Sequence, residues 1–434
     1  MNYRDKKIET AGRDQIEAIQ FGRLKEIVGS AFNTSFYKKR LPKVGINSSD
    51  DIKSLDDLGR IPFSTKDDLR QNYPKGFLAV DTGQVVRMHS SSGTTGIPTV
   101  IYLSASDLDA ATELLARSVV ATGACRDDVF QNMMSYGLFT GGLGLHYGAE
   151  RVGMMVIPIG GGNTRRQVQM MKDFQTTVLH VTPSYLLHIH SKLVEYDVTI
   201  DQLNLKKAFI GAEPHSEGTR LKIEELFNID AYNSYGLSEM NGPGVAFECV
   251  CKNDLHVWED AYILEIVDPE TGRQLPDGQE GEVVLTNLIR GAMPLMRYRT
   301  RDLAFVHTEP CPCGRTHRRL SRILGRTDDM LIINGVNVFP SQIEEVVMKI
   351  PEVGTNYQIY VEKDGLLDVL KVKVEIYSKM FLGEARQIDA LKTKIKDELQ
   401  ASITINPIIE LHEPGILPVS EGKAVRVVDL RKRL

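Results

Sequence analysis

Between residues 85 and 240, short β-rich runs alternate with helical stretches, and this alternation limits the fold more than any other feature of the chain. The runs are VFQNMM (129–134), MMVIPI (154–159), TVLHVT (177–182), KAFIGA (207–212) and DAYNSYG (230–236). Strands separated by helix-length gaps are joined by crossovers rather than by tight hairpins, so the pattern predicts parallel sheet covered by helices. The residues before it are expected to be largely helical: Phe21, Leu24, Ile27, Val28 and Ala31 form one apolar stripe at helical spacing. After residue 240 the character changes. AYILEIVD and GEVVLTNL, separated by the turn-rich PETGRQLPDGQE, predict antiparallel pairing.

The tail forms a second pattern. Ser341 and Glu344 are spaced as a capping box ahead of the helical stripe Ile343, Val346, Val347 and Ile350. Two strand-like runs, TNYQIYVE and DVLKVKVEI, precede a helix carrying Ile388, Leu391, Ile395 and Leu399. The boundary falls in GRTDDM (325–330). The expected fold class is therefore α/β, with a large domain of mixed sheets and helices over 1–327 and a small α+β domain over 328–434.

Charge and cysteine usage exclude several function classes. With 52 basic and 57 acidic residues the net charge is −5, which offers no basic field for nucleic acid or an anionic membrane. No apolar run is long enough to span a bilayer, and MNYRDKKIET lacks the apolar core of a signal peptide. Five cysteines in 434 residues argue against a secreted disulfide framework. A cytoplasmic protein is expected.

The loop HSSSGTTGIPTV (89–100) carries the chemistry. Its composition suits a solvated linker and a phosphate cradle equally: Gly93 and Gly96 permit close backbone approach, and hydroxyls and successive N–H groups can surround an anion. A Walker-type nucleotide loop would carry lysine after the second glycine and lead into a helix. Here Ile97 follows Gly96, and IPTVIYLS is strand-like.

SSSGTTGIP resembles instead the Ser/Thr/Gly phosphate loop of the acyl-adenylate-forming enzymes, the superfamily of acyl-CoA synthetases, luciferases and peptide-synthetase adenylation domains. GAEP (211–214), YGLSE (235–239), RYRTRDL (297–303), GRTDDM (325–330) and EGKAVR (421–426) follow in that superfamily's order. FSTKDDLRQNYP, YGLFTGGLGLHYGAERVG, VTPSYLL, YGLSEMNGPGVAFEC and DDMLIINGVNVFPSQIEE are similar to the phenylacetate–CoA ligase family in particular. The resemblance runs from about residue 10 to the end.

It implies an ATP-dependent, AMP-forming acid–CoA ligase acting through an acyl-AMP, with phenylacetate or a related aryl acid, ATP, Mg²⁺ and coenzyme A as reactants, and a homodimer. Ser91, Ser92, Gly93, Thr94, Thr95 and Gly96 would hold the β- and γ-phosphates, although Ile97 stands where the family usually has lysine. Ala212, Glu213 and Pro214 would line the adenine edge, Tyr235 and Gly236 its face. Ser238 would bond the α-phosphate, and Glu239 would give Mg²⁺ a hard oxygen. Asp302 would accept from the ribose hydroxyls, with Arg326 a second ribose or phosphate contact. Lys423 would bridge the reacting carboxylate and phosphate on a mobile C-terminal domain hinged at Asp328, with Gly335, Val336 and Asn337 bordering the CoA channel. Tyr136 and Phe139 are candidates for the acid pocket; as bare residues they suit a core equally. A carrier-protein or amine acceptor, and a non-catalytic adenylate-binding module, are the alternative readings.

Cys249 and Cys251, Cys311 and Cys313, and His256 supply soft donors suited to tetrahedral zinc. Cys249 and Cys251, if extended, lie on one strand face about 6.6 Å apart, so one of the two is expected to bind. Free thiols are the alternative. Some members of the resembled family carry a matching Cys, His and Cys-x-Cys set, which implies Cys249, His256, Cys311 and Cys313 as a structural zinc site.

Overall fold

The computed structural model describes residues 2–91, 97–365, 367–381, 385–418 and 424–433. The chain divides into two compact units, Met1–Gly160 with Tyr232–Ile323 and Gly161–Ala231 with Leu324–Leu434. Among the described residues no helix is long and apolar enough to cross a membrane.

In the first unit the apolar stripe near the N-terminus becomes the helix Arg13–Ala31, which buries Leu24, Ile27, Val28 and Ala31. Strands Val129–Asn132 and Met155–Ile157 pair in parallel, joined by the crossover helix Thr140–Val152. AYILEIVD and GEVVLTNL form the antiparallel pair Tyr262–Val267 and Gly281–Asn287, and Tyr298–Ala304 joins its second strand. A further antiparallel series runs from Asp230–Leu237 to Gly242–Glu248, then to Leu255–Val257 and Arg319–Leu320. Val100–Ser104 pairs antiparallel with Val85–Ser90, so the Ser/Thr/Gly loop joins two strands of one sheet rather than a strand to a helix.

In the second unit, Val178–Val181 and Lys207–Ile210 are parallel and flank the helix Pro183–Lys192. The C-terminal sheet has the order Ile408–His412, Leu367–Ile376, Val353–Asp364, Val427–Asp429. Its central pair is antiparallel and each outer strand is parallel to its neighbour. Ile343 and Val347 of the helix Pro340–Lys349 pack into this region's core, as do Leu391, Ile395 and Leu399. Asn334 and Gly335 both take positive φ, +48° and +85°, in the two-residue turn between Leu331–Ile333 and Val336–Val338. That is the conformation a tight hairpin demands.

The expected capping box at Ser341 and Glu344 does not form. The helix starts at Pro340, whose fixed φ suits the first helical position, and Phe339 N–H donates to Gln342 Oε1 at 2.9 Å. Glu344 is buried instead, accepting from Ser216 N–H at 3.1 Å, Thr219 Oγ1 at 2.6 Å and Tyr357 Oη at 2.8 Å.

One close approach positions the site. The register between Asp230–Leu237 and Gly242–Glu248 shifts after Tyr235, and a Cβ placed on Gly236 would lie 1.8 Å from the Gly242 carbonyl oxygen and 2.7 Å from Pro243 Cα. These obstacles are backbone or fixed by a proline ring, so neither can swing aside. Gly236→Ala is expected to cost about 3 kcal/mol or more, the upper range for overpacking, read as a lowered urea midpoint with an unchanged m-value.

Candidate active site

Tyr235 ends the regular pairing of its strand and is buried, and its Oη donates to Asp302 Oδ2 at 2.7 Å. Asp302 is also buried, within the strand Tyr298–Ala304. Two residues that lie far apart in the sequence, both predicted to meet one nucleoside, thus touch each other.

Beyond the Gly236 bulge the chain forms a short turn at Ser238–Met240. Ser238 Oγ lies 3.3 Å from Thr140 Oγ1, at the start of the helix Thr140–Val152. Glu239 is 5% exposed, a burial that a lone carboxylate avoids. Thr99 Oγ1 donates to it at 3.4 Å, and Lys66 Nζ stands 3.8 Å away. Thr99 also bonds the Ser91 hydroxyl at 2.5 Å, and Ser91 N–H donates to Thr99 O at 3.1 Å. The start of the loop is therefore fastened to the strand that leaves it, and through Thr99 to Glu239. Ser92, Gly93, Thr94, Thr95 and Gly96 lie outside the described residues. The buried guanidinium of Arg290, pushed down by desolvation, feels the Glu239 charge and bonds Asn241 Oδ1 at 3.1 Å.

Tyr136 is half-buried. Asn132 Nδ2 donates to its Oη at 2.9 Å, and His146 Nδ1 lies 3.1 Å away. Burial pushes its phenol up to about 12, so the hydroxyl stays neutral. Phe139 caps the helix Thr140–Val152 and is 46% exposed.

In the second unit, Ala212 takes φ +65° and is exposed with Pro214, while the Glu213 carboxylate accepts from Ser184 N–H at 2.7 Å and from Ala424 N–H at 2.8 Å. Arg326 pairs with Asp328 through Nε and Nη2 at 2.9 and 3.0 Å. Gly335 occupies the tight turn, and Val336 and Asn337 begin the strand after it. Lys423 lies outside the described residues. Sequence reasoning missed Thr99, Thr140 and Lys66. Lys66 lies in the quoted FSTKDDL, but nothing local ties it to Glu239.

The sulfur and imidazole donors of Cys249, His256, Cys311 and Cys313 converge, with all four donor atoms within 4.8 Å of one another and all four residues buried. Tetrahedral ligands with metal–sulfur bonds of about 2.3 Å are separated by about 3.8 Å; Cys249 Sγ and Cys311 Sγ are 3.7 Å apart. Cys313 Sγ is 3.3 Å from His256 Nε2, and His256 Nδ1 faces the His317 carbonyl at 3.3 Å, which orients Nε2 inward. Cys251 N–H and Arg315 N–H donate to Cys249 Sγ and Cys313 Sγ, each at 3.4 Å, as thiolates favour. The donors fit a four-coordinate cation.

Cys249 and Cys251 do not share a strand face. The strand stops at Glu248, and a turn closed by Lys252 N–H to Cys249 O at 2.9 Å carries Cys251 away from the cluster. Burying four donors favours this turn over an extended edge.

Residues 47–298 match the AMP-binding enzyme family and residues 335–431 match the AMP-binding enzyme C-terminal domain. The class is thus an AMP-binding enzyme. The chain is 44% identical to the phenylacetate-coenzyme A ligase of Thermus thermophilus, over 98% of this chain and 99% of that one, and 43% identical to that of Escherichia coli, over 98% and 97%. It belongs to the phenylacetate-coenzyme A ligase family and is an AMP-forming acid–CoA ligase. Among solved structures, a 2-hydroxyisobutyryl-CoA ligase in the postadenylation state with 2-HIB-AMP is similar at TM-score 0.92 and 27% identity, covering 98% of this chain and 92% of that one.

Tyr235→Phe keeps the ring and removes one bond to a buried carboxylate. A loss of about 1.5–3 kcal/mol in unfolding free energy is expected, the range for hydrogen bonds to charged groups. Denaturant titration checks it.

Proposed function

We propose that the acid is phenylacetate or a closely related aryl acid, activated as its acyl-AMP and transferred to coenzyme A. The observation that carries this reading is 43–44% identity to four phenylacetate-coenzyme A ligases across 98% of the chain. An oxygen of the acid attacks the α-phosphorus of ATP, the bond to the bridging oxygen breaks and pyrophosphate leaves. The thiol of CoA then gives up its proton to solvent, its sulfur attacks the acyl carbon, and AMP departs with the phosphate-linked oxygen.

Residues 1–327 carry the nucleotide and residues 328–434 move about Asp328. Ser91 and the loop through Gly96 take the β- and γ-phosphates, Ser238 the α-phosphate. Tyr235 offers a ring face to adenine beside Gly236, and Asp302 accepts from ribose. Ala212, Glu213 and Pro214 border the adenine edge. Glu239 would give Mg²⁺ a carboxylate oxygen, and the ion's charge would offset that of the phosphates. Arg326 is released from Asp328 when it meets the nucleotide. Tyr136 and Phe139 border the aryl group, and Gly335, Val336 and Asn337 the pantetheine arm. A homodimer in the cytoplasm completes the proposal, and light scattering tests the dimer.

Lys423 is assigned to adenylation alone, because a cation is needed most where an anionic acid meets a polyanion. AMP release and thioester formation across a panel of aryl and alkyl acids test the substrate assignment. Phenylacetate or another aryl acid is expected to give both products. Turnover confined to alkyl acids, or ADP as product, overturns the assignment. Lys423→Ala is expected to slow adenylation by about 10²–10³-fold, while transfer of preformed acyl-AMP to CoA persists; an equal fall in both steps refutes the role.

The four-donor cluster is assigned to structural Zn²⁺, since four protein ligands leave no open position for chemistry. Protein purified without chelator is expected to carry about one zinc per chain, and Cys313→Ser to lose most of it with a fall of several degrees in midpoint temperature. Absence of zinc from the parent protein by elemental analysis removes the assignment.

A further inference from the structure

The groups around the Tyr136 hydroxyl have their donor and acceptor roles set by their own neighbours. The Asn132 amide is fixed by the backbone: Oδ1 accepts from Met134 N–H at 3.2 Å, and Nδ2 donates to Gly142 O at 2.7 Å. Exchanging oxygen and nitrogen would set a carbonyl against a carbonyl and donors against a donor. The second Nδ2 hydrogen is therefore the one that meets Tyr136 Oη at 2.9 Å. His146 is fixed from its far side. Glu150 Oε1 stands 3.1 Å from Nε2, one turn further along the helix Thr140–Val152, and a carboxylate there accepts, so Nε2 carries hydrogen.

His146 Nδ1 lies 3.1 Å from Oη, and among the described residues the hydroxyl has no third hydrogen-bond partner. If Nδ1 also carried hydrogen, two donors would face Oη and the phenol proton would have no acceptor. The arrangement that satisfies every group has the phenol donating to Nδ1 and accepting from Asn132. The ring is held as well. His146 meets it edge to face with centroids 5.8 Å apart, and a Cβ on Gly160 would lie 3.6 Å from Cδ2, so Gly160 borders the ring. Gly160 N–H donates to Asn132 O at 3.0 Å, which ties that flank to the residue that fixes the hydroxyl. One lone pair of Oη is left over. The hydroxyl can accept one further hydrogen bond and can donate none.

We propose that Tyr136, set by Asn132 and His146, makes the enzyme selective for aryl acids that carry a hydrogen-bond donor on the ring, a hydroxyl or an amino group, over acids that carry only an acceptor there. This rests on the reading of Tyr136 as bordering the aryl group. Tyr136 is then the specificity-determining residue, and His146 is a positioning residue that acts through it by taking the phenol proton. A ring hydroxyl donates to the remaining lone pair. An ether oxygen at the same place sets lone pair against lone pair and is disfavoured.

The test measures kcat/KM for hydroxyphenylacetates and methoxyphenylacetates, isomer by isomer, in full-length protein and reads the hydroxy-to-methoxy ratio at each ring position. In the parent enzyme the ratio is expected to exceed about threefold at one position, the scale of one neutral hydrogen bond. Because methoxy is also the larger group, the change of the ratio between variants is the decisive quantity. Tyr136→Phe removes the acceptor and is expected to lower the ratio about three- to tenfold. His146→Leu frees the phenol proton for the ether oxygen and should lower it on the same scale, and a general loss of folded enzyme cancels in the ratio. In Tyr136→Phe, adding His146→Leu should change the ratio less than about twofold, since the two act as one unit. A parent ratio near one at every position, an unchanged ratio in either single variant, or an equal effect of His146→Leu with and without the tyrosine hydroxyl overturns the proposal. Tyr136→Ala separates the two readings. A raised KM for phenylacetate beside unchanged ratios in Tyr136→Phe and His146→Leu overturns this inference alone. A KM unmoved for every acid overturns the placement of Tyr136 against the aryl group, and this inference with it.

Discussion

The contact between Gly236 and the Gly242 carbonyl shapes the hairpin that carries Tyr235, Ser238 and Glu239 at one end and leads into Cys249 at the other. A Cβ at Gly236 would lie 1.8 Å from the Gly242 carbonyl oxygen, and the register of the two strands shifts after Tyr235. On one side of the shift, Tyr235 reaches Asp302; on the other, the chain turns at once and brings Ser238 to Thr140 and Glu239 to Thr99. A regular strand would alternate these side chains between two faces. The bulge lets neighbouring residues serve one locality.

Much of this was legible in the sequence, because it rests on local pattern. The five β-rich runs all became strands, and the first apolar stripe became a helix. The order of motifs carried the family. Pairings that depend on the folded path were not legible. Thr99 is invisible as a partner of Glu239, because 140 residues separate them and threonine after Ile-Pro has many uses. Lys66 stands beside Glu239 for the same non-local reason, supplying a positive charge although Ile97 supplies none. Glu344 reads as a cap on local spacing, yet Thr219 and Tyr357, distant in sequence, claim its oxygens. A buried carboxylate takes the partners that desolvate it least expensively, and spacing cannot reveal them.

Cys249 and Cys251 show the same limit at shorter range. Alternation places them on one face only if the strand continues, and the requirement to bury four donors ends it at Glu248. The N-terminal segment then covers the cluster loop: Tyr3 Oη donates to Cys313 O at 2.7 Å, and Arg315 Nε, almost fully buried, pairs with Glu9 Oε2 at 2.7 Å. Removing either charge of such a pair strands the other in a site that water cannot reach.

That cover bears on how the cluster serves the enzyme. A metal that took part in the reaction would need an open coordination position and access to substrate. Here four buried protein donors surround the centre, backbone amides point at two of the sulfurs, and the cluster loop is roofed by residues from the start of the chain. Its tie to the rest of the unit runs through the backbone. Cys249 is the residue directly after Gly242–Glu248, and His256 pairs in register with Phe247 of that strand. That strand runs from the cluster end back to Gly242, the residue against which Gly236 is pressed. The cluster and the close approach that sets the directions of Tyr235, Ser238 and Glu239 thus lie at the two ends of one strand.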